Sequence, residues 1–181
     1  MRIDEFPAGT RGGSIGLSDC PGKYEDLGSD VRQRLANDVR SITRWGARAL
    51  VSALEDEELQ IHGIQDIGAT ATRAGIWWFR VPLKANADPD DRFWRAWPQA
   101  APALLDILRN GQRVLIHSCG DIGRAKLVAG CLLAEMGLGP DAVLAAVRAA
   151  APSGPLDSPA QELFLRGYLP RFPEHTRMRS E

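Results

Sequence analysis

The stretch VLIHSCGDIGRAK, residues 114–126, decides the reading of this chain. QRVLIH (112–117) is an apolar, β-branched run of strand length. SCGDIGR follows as a glycine-containing loop, and a buried helix begins at about Arg124 and continues to Leu138. A strand that passes through a short loop into a helix aims successive backbone N–H groups at one point, and the helix dipole reinforces them. Arg124 adds a planar fork of donors. Such a loop suits a tetrahedral dianion. It is not a nucleotide loop of the GxxxxGKS/T type, and GxGxxG is absent.

Working outward, the chain alternates strands and helices. Arg2 to Phe6 reads as a short strand, and TRGGSIGLSDCPGK (10–23) as loops and turns. Ser29 or Asp30 caps a helix whose apolar face is Val31, Leu35, Val39, Ile42 and Trp45, ended by Gly46. ALVSAL (49–54) is a buried strand, EDEELQIHG one or two helical turns, and residues 65–74 another short helix. GIWWFRV (75–81) is a further strand, followed by a loop from Pro82 to Pro89. Asp90 or Asp91 starts a helix to Leu108 with Phe93, Trp97, Ala101, Leu104 and Leu105 on one face. Beyond the central strand and its helix, Pro140 opens one helix that ends before Pro152, and Ser158-Pro159 opens the last, to about Tyr168. This order predicts an α/β fold: a single domain with a central, mainly parallel sheet flanked by helices and an anion loop between strand and helix. The expected domain spans residues 1–170, with 171–181 a flexible tail.

Composition bounds the function. The chain has 181 residues and a mass of 19.7 kDa; 44% are hydrophobic, 25% charged, and the net charge is −1. One domain of this size buries about 70% of its unfolded surface. Its three cysteines, Cys20, Cys119 and Cys131, cannot all pair, which argues against a disulfide framework. Cys20 reads as a turn residue and Cys131 as a small buried hydrophobe. Three histidines without CxxC or HxxxH spacing give no structural zinc site, and no metal or organic cofactor is implied. MRIDEFPAG lacks the pattern of a signal peptide, and no apolar run approaches the ~20 residues of a membrane span. A reducing cytoplasm is the expected setting, with neither nucleic acid nor membrane as a partner. The basic tail (His175, Arg177, Arg179) is too short to alter that.

The central segment resembles the signature of the cysteine-dependent protein tyrosine and dual-specificity phosphatases: His-Cys, five residues, Arg, then Ser or Thr. His117 matches the histidine, residues 119–123 (Cys119, Gly120, Asp121, Ile122, Gly123) the loop, and Arg124 the arginine. The resemblance implies a thiolate nucleophile that passes through a phosphocysteine, and an arginine that binds the phosphoryl group. Here the nucleophile position holds Ser118, whose hydroxyl stays protonated at neutral pH. Cys119 leaves one residue too few before Arg124, and its side chain is expected to turn away from the anion. The family's general-acid loop, Pro-Ile/Leu-x-Asp, three residues, Pro, is matched by Pro82, Leu83, Lys84 and Pro89, with Ala85 at the aspartate position. Asp88 lies three residues further on and is expected to be a solvated turn carboxylate. Ala125 stands where the family often has a hydroxyl.

Other segments extend the resemblance over residues 8–170, to the kinase-associated branch and its bacterial relatives. These are GGSIGLSDCPGK (12–23) and ALVSALEDEELQIHGI (49–64), with Glu58 at an acidic position of the family, and Gln161, which in relatives positions water. His117 is expected to orient the loop backbone. Trp77, Trp78, Trp94 and Trp97 read as packing residues, with pocket-mouth stacking on a phosphorylated ring as the alternative. Arg11, Lys23 and Lys84 either ring the pocket with positive charge or are plain solvated side chains. The expected ligand is a phosphorylated protein or peptide, or another phosphomonoester, with phosphate or sulfate held by residues 118–124. Serine at 118 and alanine at 85 together fit a phosphatase inactivated to trap its substrate. A natural pseudophosphatase that binds a phosphorylated partner without hydrolysis is the alternative.

Overall fold

In the computed structural model, residues 1–9, 13–23, 30–120, 122–150 and 159–172 are described. In chain order the elements are β1 (Ile3–Pro7), β2 (Ser14–Ser18), α1 (Val31–Trp45), β3 (Ala47–Ser52), α2 (Asp56–Ile61), α3 (Ile67–Arg73), β4 (Trp77–Arg80), α4 (Asp91–Arg109), β5 (Arg113–His117), α5 (Gly123–Glu135), α6 (Pro140–Ala150) and α7 (Pro159–Gly167). The five strands form one sheet in the order β1-β2-β5-β3-β4. Only β1 runs antiparallel; β2, β5, β3 and β4 are mutually parallel. The α/β architecture with a mainly parallel sheet is therefore as the sequence predicts.

Alternation along the strands divides the core into two faces. Ile15, Leu17, Ala49, Val51, Val114 and Ile116 pack into one cluster with α4, α5, α6 and α7. Leu50 and Leu115 point the other way, onto Leu35, Val39 and Ile42 of α1 and onto residues of α2 and α3. Asp30 caps α1 by accepting from Arg32 N, and Gly46 ends it in the left-handed conformation at φ 88°. The β5–α5 unit sits at the centre of the sheet, and α5 is buried along its whole length. The loop that joins them opens at the carboxyl ends of the parallel strands, where ligands bind in open α/β sheets.

Two expectations need correction. SIGLS (14–18), read as loop, is a strand between β1 and β5. Its glycine serves packing, not turning: a Cβ on Gly16 would come within 2.8 Å of the side chains of Ile3, Leu115 and Trp45. The second correction concerns the cysteines. Cys20 and Cys119 form a disulfide across 99 residues of chain, with Cα atoms 4.9 Å apart. Cys131 alone is free and buried. The odd count had argued against a framework of bridges; it does not forbid one.

The C-terminal segment is also tied down further than expected. Glu135, at the end of α5, is buried and accepts from the backbone N–H of Arg171 (2.9 and 3.0 Å) and of Phe172 (2.7 Å). Tyr168 donates to the same carboxylate at 2.6 Å and accepts from the Trp97 indole N–H at 2.8 Å. Residues 171 and 172, expected to begin a loose tail, are thus clamped. Residues 173–181, with His175, Arg177 and Arg179, lie outside the described residues. Among the described residues no helix is long and apolar enough to cross a membrane.

Tyr168→Phe keeps the ring and removes the hydroxyl, leaving the Trp97 N–H without its buried acceptor. The expected loss is about 1–3 kcal/mol of unfolding free energy, read by urea denaturation.

Candidate functional site

The residues that follow β5 build the site. His117, the last residue of β5, is paired in register with Ser18 of β2 and Ser52 of β3, and all three are buried. Ser118 is fully buried directly after it. Gly120 has φ +96°, a left-handed conformation that a side chain would resist, and it lets the loop reverse toward α5. Ile122 is the residue before the helix, and its carbonyl accepts from Lys126 N at 2.8 Å. Gly123 and Arg124 open α5. Asp121, named with the loop from sequence, lies outside the described residues.

Arg124 organises everything around the loop. Its guanidinium meets Glu58 of α2 in a two-pronged pair, Nη1 to Oε2 at 2.6 Å and Nη2 to Oε1 at 2.9 Å. Nη1 also donates to the Leu83 carbonyl at 3.1 Å, and Nη2 to the Cys119 carbonyl at 2.7 Å. The fork is thereby fixed by three segments. The remaining donor, Nε, is buried and has no hydrogen-bond partner among the described residues. A buried guanidinium N–H left over beside a helix-terminal loop fits an acidic oxygen. Glu58 is itself set by a capping box: Glu55 N donates to Glu58 Oε2 at 3.0 Å. Burial pushes the Glu58 carboxyl upward, but hydrogen bonds from Arg124 and from the Glu55 N–H, with the arginine charge, hold it below its ordinary value.

His117 is held in a second network. Its Nε2 lies 2.7 Å from Ser52 Oγ, which also accepts from the Trp78 indole N–H at 2.9 Å. Burial, and then the charge of Arg124, lower the imidazole to about 3, so it is neutral at physiological pH. The His117 carbonyl accepts from Ala53 N at 3.0 Å, which stitches the loop entrance to the end of β3. Ser52 was not singled out from sequence, and Trp78 only as a packing or pocket-mouth ring. Nothing in the spacing of a serine in a strand and a tryptophan in the next reveals that they share one hydroxyl.

The segment after β4 is brought to the loop through its backbone. Leu83 contributes its carbonyl to Arg124, while Lys84 and Ala85 are exposed. Asp88 lies elsewhere, in a groove with Trp94, Leu163, Phe164, Tyr168 and Arg171, none of them a loop residue. Gln161 is fully buried on α7. Trp97 is core, whereas Trp77 is 48% exposed under the Arg48 guanidinium, and Trp94 carries Arg171 at 4.0 Å. Packing alone therefore does not describe Trp77. Cys119 is held in the second apolar cluster by its bond to Cys20. Lys126, fully buried in the first turn of α5, was not singled out from sequence either. Arg11 lies outside the described residues.

No family model matches the chain. It is 24% identical over 164 residues to human cyclin-dependent kinase inhibitor 3, covering 89% of this chain and 74% of that protein. The protein of the same name from Rattus norvegicus is 28% identical over 120 residues, which is 66% of this chain and 53%, about half, of the relative. Among solved structures, a kinase associated phosphatase whose catalytic-site cysteine is replaced by serine superposes with a TM-score of 0.73 at 24% identity, covering 91% of both chains. Tk-PTP in its active form gives 0.63 at 19% identity, covering 90% of this chain and 92% of that one. The core catalytic domain of the PP-IP phosphatase SIW14 from S. cerevisiae gives 0.57 at 14%, covering 91% and 85%. The chain shares its fold with these phosphatases.

The neutral state of His117 sets a pH dependence. In the unfolded chain a histidine takes up its proton near 6.5; here it does so only near 3. The folded state therefore holds fewer protons, and stability is complete above 6.5 and falls as pH drops toward 3. Glu58, held low, adds its own loss below the ordinary glutamate range. Urea denaturation between pH 7 and 5 should show a slope that His117→Asn reduces by up to about one proton. Equal slopes in the two proteins would show that His117 is charged when folded.

Proposed function

We propose that this chain binds a phosphomonoester on a phosphorylated protein, in the loop 118–124, and does not hydrolyse it. The observation that carries the proposal is the buried Arg124, clamped by Glu58, Leu83 and Cys119 with Nε left over. A phosphate oxygen completes that set. The amides at the start of α5 and its dipole supply the rest of the positive field. The same geometry serves a phosphatase only if two more groups are present: a thiolate to attack phosphorus and an acid to protonate the leaving oxygen. Ser118 and Ala85 occupy those two positions of the resemblance. A neutral hydroxyl is a far weaker nucleophile than a thiolate, and a methyl group has no proton to give.

The reading extends to phosphotyrosine, phosphoserine or phosphothreonine as the bound group. The name of the human and rat relatives, and the kinase associated phosphatase whose fold this chain shares, favour a protein ligand. The SIW14 likeness keeps phosphorylated small molecules as the competing class. The native codon at 118 separates the two origins: cysteine marks an inactivated trap, serine a natural pseudophosphatase.

Calorimetry with inorganic phosphate and a phosphotyrosine peptide should show binding that Arg124→Ala weakens by about tenfold or more. Binding unchanged by that substitution overturns the proposal. The protein should not release phosphate from an aryl phosphate. Ser118→Cys should confer slow turnover, and adding Ala85→Asp should raise it by about 10²–10⁴-fold. A folded, phosphate-binding double variant with no turnover would overturn the assignment of positions 118 and 85.

A further inference from the structure

The Cys20–Cys119 bridge cross-links the segments that leave the carboxyl ends of two neighbouring strands, β2 and β5. Cys119 is the second residue of the anion loop, adjacent to Ser118, and its carbonyl is one of the acceptors that fix Arg124. Cys20 starts the turn after β2. That turn is closed by Lys23 N to the Cys20 carbonyl at 3.2 Å. It is fastened to α1 by Gly22 N to Asp38 Oδ2 at 2.8 Å and by Arg34 Nε to the Gly22 carbonyl at 3.1 Å. Through the bridge the loop is joined covalently to this turn, and by the turn's hydrogen bonds to α1. The third cysteine does not compete. Cys131 is fully buried in the cluster on the opposite face of the sheet, and burial, then Glu135, push its thiol up.

We infer that Cys20 and Cys119 form a redox modification site that sets the anion affinity of the loop. The inference rests on the phosphate-binding reading above. A thiolate of a dithiol reductant attacks one sulfur of the bridge and forms a mixed disulfide. The reductant's second thiolate then displaces the protein sulfur. The protein S–S bond is broken, Cys20 and Cys119 take up two electrons and two protons, and the dithiol leaves as its own disulfide. In the oxidised form the Cys119 side chain is fixed, and the loop backbone around Ser118 is held before ligand arrives. In the reduced form the covalent tie at Cys119 is gone. More of the ordering of the loop then falls to the ligand, and affinity drops by that cost. Both sulfurs belong to buried residues, so the reductant reaches them when the turn at 20–23 opens, and reduction is slow compared with that of an exposed bridge.

The test uses the whole chain. Thiol alkylation followed by mass spectrometry should count one free thiol after treatment with oxidised glutathione and three after dithiothreitol. Calorimetry with inorganic phosphate should show the Kd rising by about tenfold on reduction and returning on reoxidation. Cys20→Ser should bind like the reduced protein and ignore dithiothreitol, whereas Cys131→Ala should keep the full response. Should Cys20→Ser not fold, hydrogen exchange on the unmutated protein decides. Reduction should then speed exchange at 118–120 and 20–22 while the amides of β3 and β5 stay protected. Equal affinity in the two redox states, with the fold intact by circular dichroism, overturns the switch and leaves phosphate binding standing. Three alkylated thiols after oxidation also overturn the switch alone. Failure of both states to bind phosphate overturns the phosphate reading, and the switch with it.

Discussion

The pairing of Arg124 with Glu58 is the interaction on which the site depends. It brings together four pieces of chain that are distant in sequence: the short helix α2, the segment after β4, the anion loop and the first turn of α5. Each of those pieces is positioned separately by the fold. Glu58 is aimed by its capping box, Leu83 by the exit of β4, and Arg124 by the wholly buried α5. The guanidinium is the one group that touches them all. A shift of any one would be transmitted to the direction of the remaining N–H.

Such a pair is a poor source of net stability. Taking a guanidinium out of water costs several kcal/mol, and the attraction to a partly exposed carboxylate offsets only part of it. What the arrangement provides is orientation. A lysine would supply the charge without the fork, and a rotating ammonium would not leave a donor fixed in one direction. The backbone carbonyls of Leu83 and Cys119 complete the hydrogen bonding, which is why the buried cation is tolerable at all. The neutral His117 follows from the same source. A second positive charge next to Arg124, in a site closed to water, is excluded by burial and by repulsion.

Much of this was legible in the sequence because it is written in short-range patterns. The run from Val114 to Lys126 encodes strand, loop and helix locally, and the periodicity of α1 and α4 encodes their buried faces. Glu58 could be placed only by resemblance, since its partner lies 66 residues away. The strand SIGLS was hidden because glycines there serve close packing, and glycine reads as a turn. The bridge was hidden for a different reason. Cys20 and Cys119 have no spacing rule between them, and an odd total says nothing about a single pair. The clamp on residues 171 and 172 depends on a glutamate in α5 that sequence alone presents as an ordinary helix-end charge.

Replacing a thiolate by a hydroxyl does more than stop a reaction. A thiolate at position 118 would add a negative charge at the floor of the loop, in contact with the incoming phosphate. Two unit charges about 4 Å apart repel by about 4 kcal/mol at an effective dielectric of 20. A neutral Ser118 lacks that repulsion and leaves the loop amides, the α5 dipole and the Arg124 Nε donor to face a ligand. Glu58 offsets much of the arginine's charge but engages the two Nη groups, so Nε remains as a directed donor. On the proposed reading, serine at this position therefore favours the field offered to a bound anion. The covalent tie at Cys119 acts in the same direction, by fixing the backbone that carries the field. On the proposed reading, a loop with serine at this position is biased toward retention of its ligand, which is what a binder of phosphorylated partners requires.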